Sequence, residues 1–415
     1  ELEPLYQLPR DFVDYGLLYV RFFPLARLAH SRFCENPKIL SERYGSYAGF
    51  LERNRSWLSS YAMFHCYKKQ FSALPWWDWP KGHRDAFPIS PDDSEYDFQV
   101  FLQYLFRGQW KTLRSYANSL GISLIGDLPI YAAPDSSEVW SEPTLFQIDE
   151  QRGEFTQVAG VPPDYFNADG QFWGNPLYDW EVHQQNDFCW WMNRLSGQLE
   201  LFDVIRIDHF RGFHDYWSIP NDSQDAKLGT WKKGPGLKFW KVAEKRFPDM
   251  PFLAEDLGLI SEEVRNLRDS AGLPGMAVLQ FAFDGNTENL YLPHNLKASL
   301  VLCTGTHDND TTLGWYESST EEIRGNFRNY LNVSGDSPSW DLLRFAYRTI
   351  SPLVVVPAQD LLSLGSEARL NEPGFAMGNW KWRLTEVQLA NLFRESSAYL
   401  RLQAEITGRL PRSSP

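Results

Sequence analysis

Cysteine is scarce in this 415-residue chain. Its four residues, Cys34, Cys66, Cys189 and Cys303, stand far apart, with no CxxC pair and no histidine at metal-site spacing. That excludes a disulfide frame and a zinc motif, and reads as buried or partly buried thiols in a reducing compartment. Long apolar runs are missing as well, so no segment reaches membrane-spanning length. Basic charge is in deficit: 40 Lys and Arg stand against 53 Asp and Glu, a formal net charge of −13. Nucleic acid and anionic membranes, which need basic patches, are thereby disfavoured as main partners, and a neutral or cationic ligand fits better. The opening Glu1-Leu2-Glu3-Pro4 has none of the character of a secretory leader, and the expected location is cytoplasmic.

Aromatic residues are plentiful, with 17 Trp, 19 Tyr and 28 Phe. Aromatic rings fill large cores and also suit the apolar faces of sugars, so composition alone favours the core without deciding. The apolar fraction of 43% and charged fraction of 22% are those of a globular protein.

Residues 1–120 read as helical, most clearly from Tyr47 to Gln70 and from Asp93 to Leu120, where Phe98, Phe101, Leu102, Leu105 and Phe106 recur at helical spacing. Between them a Pro-bounded loop carries Trp76, Trp77 and Trp79, which the context favours as a packing anchor. From residue 121 to 415 the pattern changes to six short apolar runs, mostly followed by helical stretches: Ser123–Ile130, Phe202–Phe210, Pro251–Leu257, Met276–Phe283, Leu300–Gly305 and Leu353–Ala358. Strands alternating with helices predict an α/β fold with a parallel sheet. Several runs end in polar clusters, and in a βα-barrel the catalytic groups sit at those C-terminal strand ends. A closed eight-stranded barrel needs two strands more than the six found.

Three clusters carry the chemistry. Along 202–212, two-residue periodicity puts Ile205 and Ile207 on one face and Val204, Arg206 and Asp208 on the other. A cation beside Asp208 favours the carboxylate that a nucleophile requires, although a structural Arg–Asp pair would give the same pattern. Glu255, at the end of the next run, would enter the same mouth. Apolar walls and a neighbouring carboxylate raise a carboxyl pKa, as a general acid needs; a buried hydrogen-bonded carboxylate is the plainer alternative. The run Thr304–Thr312 is dense in hydrogen-bonding side chains, and within it His307 and Asp308 suit substrate hydroxyls better than a metal loop, since the EF-hand glycine and glutamate are lacking. Two carboxylates flanking a glycosidic bond are the usual means of glycoside cleavage, and at roughly 5–5.5 Å apart they work through a covalent glycosyl-enzyme with retention.

At these residues the chain resembles the amylomaltases, the bacterial 4-α-glucanotransferases and plant disproportionating enzymes of glycoside hydrolase family 77. The resemblance rests on IGDLPIY at 125–131, AGVPPDYF at 159–166, WGNPLY at 173–178, RIDHFRG at 206–212, LAEDLG at 253–258, GTHDNDTT at 305–312 and GSEARLN at 365–371. It implies Asp208 as nucleophile, Glu255 as general acid/base and Asp308 as the carboxylate that stabilises the transition state. Arg206, His209 and His307 match sugar-binding neighbours, and Asp164 and Phe166 lie in a mobile lid over the acceptor side. Gln171, Trp173, Asp127 and Asn371 match further substrate contacts, although Trp173 fits a core position equally well. The implied fold is a (β/α)8 barrel with helical insertions, lacking its first two strands in this chain. The implied organisation is a helical subdomain over 1–120 and a barrel portion over 121–415, with active-site loops including 159–178. The implied substrates are malto-oligosaccharides and starch- or glycogen-derived glucans, with no metal or organic cofactor. Hydrolysis by the same carboxylates, and a non-catalytic glucan-binding protein, are the competing readings.

Overall fold

The computed structural model describes residues 1–84, 93–149, 153–163, 169–223, 225–258, 260–375 and 377–410. The chain divides into two compact units, Phe23–Leu273 and a second made of Glu1–Phe22 with Pro274–Pro415.

In the first unit the two expected helices form over Tyr47–Gln70 and Asp93–Ser119. Ser46 caps the former by accepting the Gly49 N–H, satisfying one of the helix's unpaired donors. Their apolar stripes meet through Leu58 and Ala62 on one and Val100, Phe101 and Tyr104 on the other, all almost fully buried. The second helix docks onto the sheet through Arg114, which pairs with Asp203 at 2.7 Å; Asp203 also accepts the Leu124 N–H at 2.7 Å. That ties the helix to the entries of two adjacent strands, β1 (Ile125–Leu128) and β2 (Val204–Ile207). Parallel β1, β2 and β3 (Phe252–Ala254) pair in chain order, with Asp127 opposite Arg206 and Arg206 opposite Leu253. Ile205 and Ile207 are fully buried, as the alternation requires.

Around this sheet lies the aromatic core. Trp140, Trp191, Trp240, Phe210, Phe213 and Phe239 are all buried, and Trp76 and Trp79 join the same cluster, so the tryptophan loop is a packing anchor. Much of the aromatic excess is therefore structural. A four-stranded antiparallel sheet, ordered Gln171–Pro176, Gln157–Val161, Asp215–Pro220 and Thr230–Lys233, completes the unit.

In the second unit, β4 (Gly275–Val278), β5 (Leu300–Cys303) and β6 (Leu353–Val355) form another parallel sheet in chain order. Its core gathers Leu302, Leu279, Phe327, Leu342 and Ala346. All four cysteines are free thiols; Cys66 and Cys303 are buried, but Cys34 and Cys189 are exposed on helical surfaces, where their small size rather than burial accommodates them.

Candidate active site

The strand ends of the first unit bring four charged side chains together. Arg206 leaves β2 and donates from Nη1 to Asp127 at 2.6 Å and to Asp208 at 2.9 Å. Burial works against the guanidinium charge, but Glu255, Asp127 and Asp208 together outweigh it and push the Arg206 pKa above its ordinary value. A buried cation without such partners would be costly; here it is shared among carboxylates.

Glu255 follows β3 directly. Its Oε2 accepts the His209 N–H at 2.8 Å and its Oε1 the Leu257 N–H at 2.9 Å. The backbones interlock too, with the Glu255 N–H on the Ile207 carbonyl at 3.0 Å and the Phe210 N–H on the Glu255 carbonyl at 3.0 Å. Glu255 is thus stitched to both sides of Asp208. Burial raises its pKa; Arg206 pulls it down, Asp208 pushes it up, and the two backbone N–H groups pull it down again, leaving it at about 7. A carboxyl poised there can give a proton and take one back at neutral pH.

His209 sits in the left-handed region with φ 51°, which costs a non-glycine residue roughly 1–3 kcal/mol and is offset by the contacts that hold it. Burial, aided by Arg211 and opposed by Asp215, takes its pKa down to about 4, so the ring is a neutral imidazole. It meets the Trp173 ring edge-on at 4.9 Å, and Trp173 Nε1 donates to Gln171 at 3.1 Å. With 37% of its surface exposed, Trp173 is not a core tryptophan. Asp164 and Phe166 lie outside the described residues.

The second unit assembles its own group. Buried Asp360 accepts from Thr304 Oγ1 at 2.8 Å, Thr312 N at 2.8 Å and Thr312 Oγ1 at 2.7 Å, pinning both ends of the loop that carries His307 and Asp308. Asn371 Nδ2 donates to Asp308 Oδ1 at 2.6 Å, and His307 Nε2 lies 3.3 Å from Asp308 Oδ2. The His307 ring packs on Trp380 at 5.3 Å. Trp380 and Arg369 escaped sequence reasoning: the former stands in no motif, and the latter lay inside GSEARLN without a signal separating it from its neighbours. Among the described residues no group of His, Cys, Asp and Glu is placed to hold a metal ion.

Nearly the whole chain can be matched to known proteins. It superposes on the amylomaltase of Streptococcus agalactiae, solved in complex with acarbose, with TM-score 0.90 and 31% identity over 99% of this chain and 84% of that one. A Thermus thermophilus protein named 4-alpha-glucanotransferase is 46% identical over 97% of this chain and 82% of its own length. A Solanum tuberosum protein, "4-alpha-glucanotransferase, chloroplastic/amyloplastic", is 39% identical over 91% of this chain and 66% of its own. The fold is thus the α/β fold of an amylomaltase. A family model described as 4-alpha-glucanotransferase matches residues 3–389, so the chain belongs to glycoside hydrolase family 77 and is an enzyme of that activity.

Proposed function

We propose that transfer proceeds by double displacement with retention, Asp208 acting as nucleophile and Glu255 as acid and base. Asp208 attacks the anomeric carbon of an α-1,4-linked glucan while Glu255 gives its proton to the departing glycosidic oxygen. Glu255 then takes the proton of an acceptor 4-hydroxyl, whose oxygen displaces Asp208 and remakes the α-1,4 bond. Asp308 stabilises the charge that builds on the sugar ring. Arg206, His209, His307, Gln171, Trp173, Asp127 and Asn371 hold sugar hydroxyls and faces. The observation that carries this reading is the Glu255 carboxyl, near pKa 7 and bonded to the residue that follows Asp208.

The substrates are malto-oligosaccharides and longer starch- or glycogen-type chains, which the acarbose bound by the Streptococcus agalactiae relative supports. The chain contributes a helical part over 1–120 and the βα units of a barrel-type enzyme over 121–415. The location is cytoplasmic; among the described residues no helix is long and apolar enough to cross a membrane.

Products from maltotriose test the reaction. Transfer gives glucose plus longer chains at constant total reducing ends, whereas hydrolysis raises reducing ends steadily. Replacing Asp208 with Asn abolishes turnover if the assignment is right, and unchanged turnover removes Asp208 from the mechanism.

A further inference from the structure

The Arg369 guanidinium joins two loops at the residues whose side chains meet. Nη2 donates to the main-chain carbonyl of Asp308 at 3.0 Å, and Nε donates to the main-chain carbonyl of Asn371 at 2.9 Å. Between the same two loops, the Asn371 N–H donates to the His307 carbonyl at 3.1 Å, and Asn371 Nδ2 donates to Asp308 Oδ1 at 2.6 Å. Ser366 adds a fourth tie, its hydroxyl reaching Asp310 Oδ2 at 2.6 Å. One loop is fixed at its ends on Asp360, but its apex, where Asp308 sits, has Arg369 as a clamp onto the other loop.

We infer that Arg369 is a positioning residue for the reaction: it sets the aim of Asp308 by holding the backbones of Asp308 and Asn371 at one spacing. A guanidinium suits the task because its donors lie in one rigid plane and point in different directions, so one group can span two carbonyls. An ammonium is a point charge and does not fix that spacing. Since a displacement of about 1 Å in a reacting group can cost on the order of a hundredfold in rate, the clamp acts on kcat more than on substrate affinity. The inference rests on the assignment of Asp308 above.

The test uses the full chain with maltotriose. For Arg369→Ala the expected result is a ten- to hundredfold fall in kcat, with KM changed less than threefold. Millimolar guanidinium should restore at least a third of the loss on a logarithmic scale, since the Arg369 side chain is 27% exposed and a small cation can enter. Arg369→Lys should fall in between and respond little to guanidinium. Adding Asn371→Ala to Arg369→Ala should cost much less than the two separate effects combined. The inference is overturned by an unchanged kcat, by loss that follows lowered thermal stability in both variants, or by loss that guanidinium does not relieve. Asp308→Asn separates the two claims: if that variant is fully active, the role of Asp308 fails; if it is inactive while Arg369→Ala is normal, only the clamp fails.

Discussion

The carboxyl of Glu255 accepts the backbone N–H of His209 at 2.8 Å, so the proposed acid is anchored to the residue next to the proposed nucleophile. The bond comes from the backbone and survives changes to the His209 side chain. His209 itself is held in the left-handed region, with φ 51°.

Replacing Glu255 with Gln keeps a hydrogen-bonding group of the same shape but removes the proton. Transfer from maltotriose should drop roughly 10²- to 10⁴-fold. A glycosyl fluoride donor, whose leaving group needs no proton, should recover most of the first step. Equal losses with both donors would contradict the acid role.

The free enzyme should also lose kcat/KM as pH rises through about 7, because the proton on Glu255 that the first step uses is then gone. An initial-rate profile from pH 5 to 9 with maltotriose reads this limb directly. In Glu255→Gln the limb should vanish along with most of the activity. A wild-type rate that stays flat to pH 9 speaks against the assignment.

Stability should depend on acid through His183. The ring is fully buried, 5.3 Å from Tyr178, 5.5 Å from Trp180 and 5.8 Å from Trp190. Burial takes its pKa from 6.5 down to about 4, against smaller upward pulls from the Leu145 backbone and Asp179. The unfolded chain therefore binds a proton in a range where the folded one does not. The contribution is intact above pH 6.5 and shrinks as pH falls toward 4, by roughly 3 kcal/mol in all. Urea unfolding of the wild type and of His183→Phe at pH 7.5 and pH 5 should show a smaller acid loss in the variant.

The sequence carried the parallel strands well because each is a short apolar run and several end in a polar cluster; β1, β2, β3, β5 and β6 fall inside the expected segments, and β4 begins one residue early. The expected strand to Phe283 stops at Val278, since the chain turns there and Gln280 reaches the Asp310 carbonyl at 3.0 Å. The antiparallel sheet was not legible. Thr230–Lys233 is exposed at every position, so it has no alternation, and Gln157–Val161 is buried at three consecutive positions. Of the site, the acidic residues stood out because strand ends in βα units gather function. Arg369 acts through backbone carbonyls, which leave no mark on the side-chain pattern.

Gly160 shows how that unread sheet bears on the site. A Cβ there would lie 2.3 Å from the Gln171 carbonyl oxygen and 2.5 Å from Ile219 Cδ1. Gly160→Ala should push apart the strand that carries Gln171 and Trp173, at a cost of roughly 1–3 kcal/mol. Thermal melting should fall by several degrees and KM for maltotriose should rise; an unchanged melt with unchanged KM would contradict the packing described.

The covalent step can be seen directly. Glu255→Gln, incubated with maltotriosyl fluoride and quenched in acid, should yield one peptide heavier by a maltotriosyl group, with the sugar on Asp208. A sugar on another residue, or turnover with no adduct and an inverted product anomer, would contradict the mechanism.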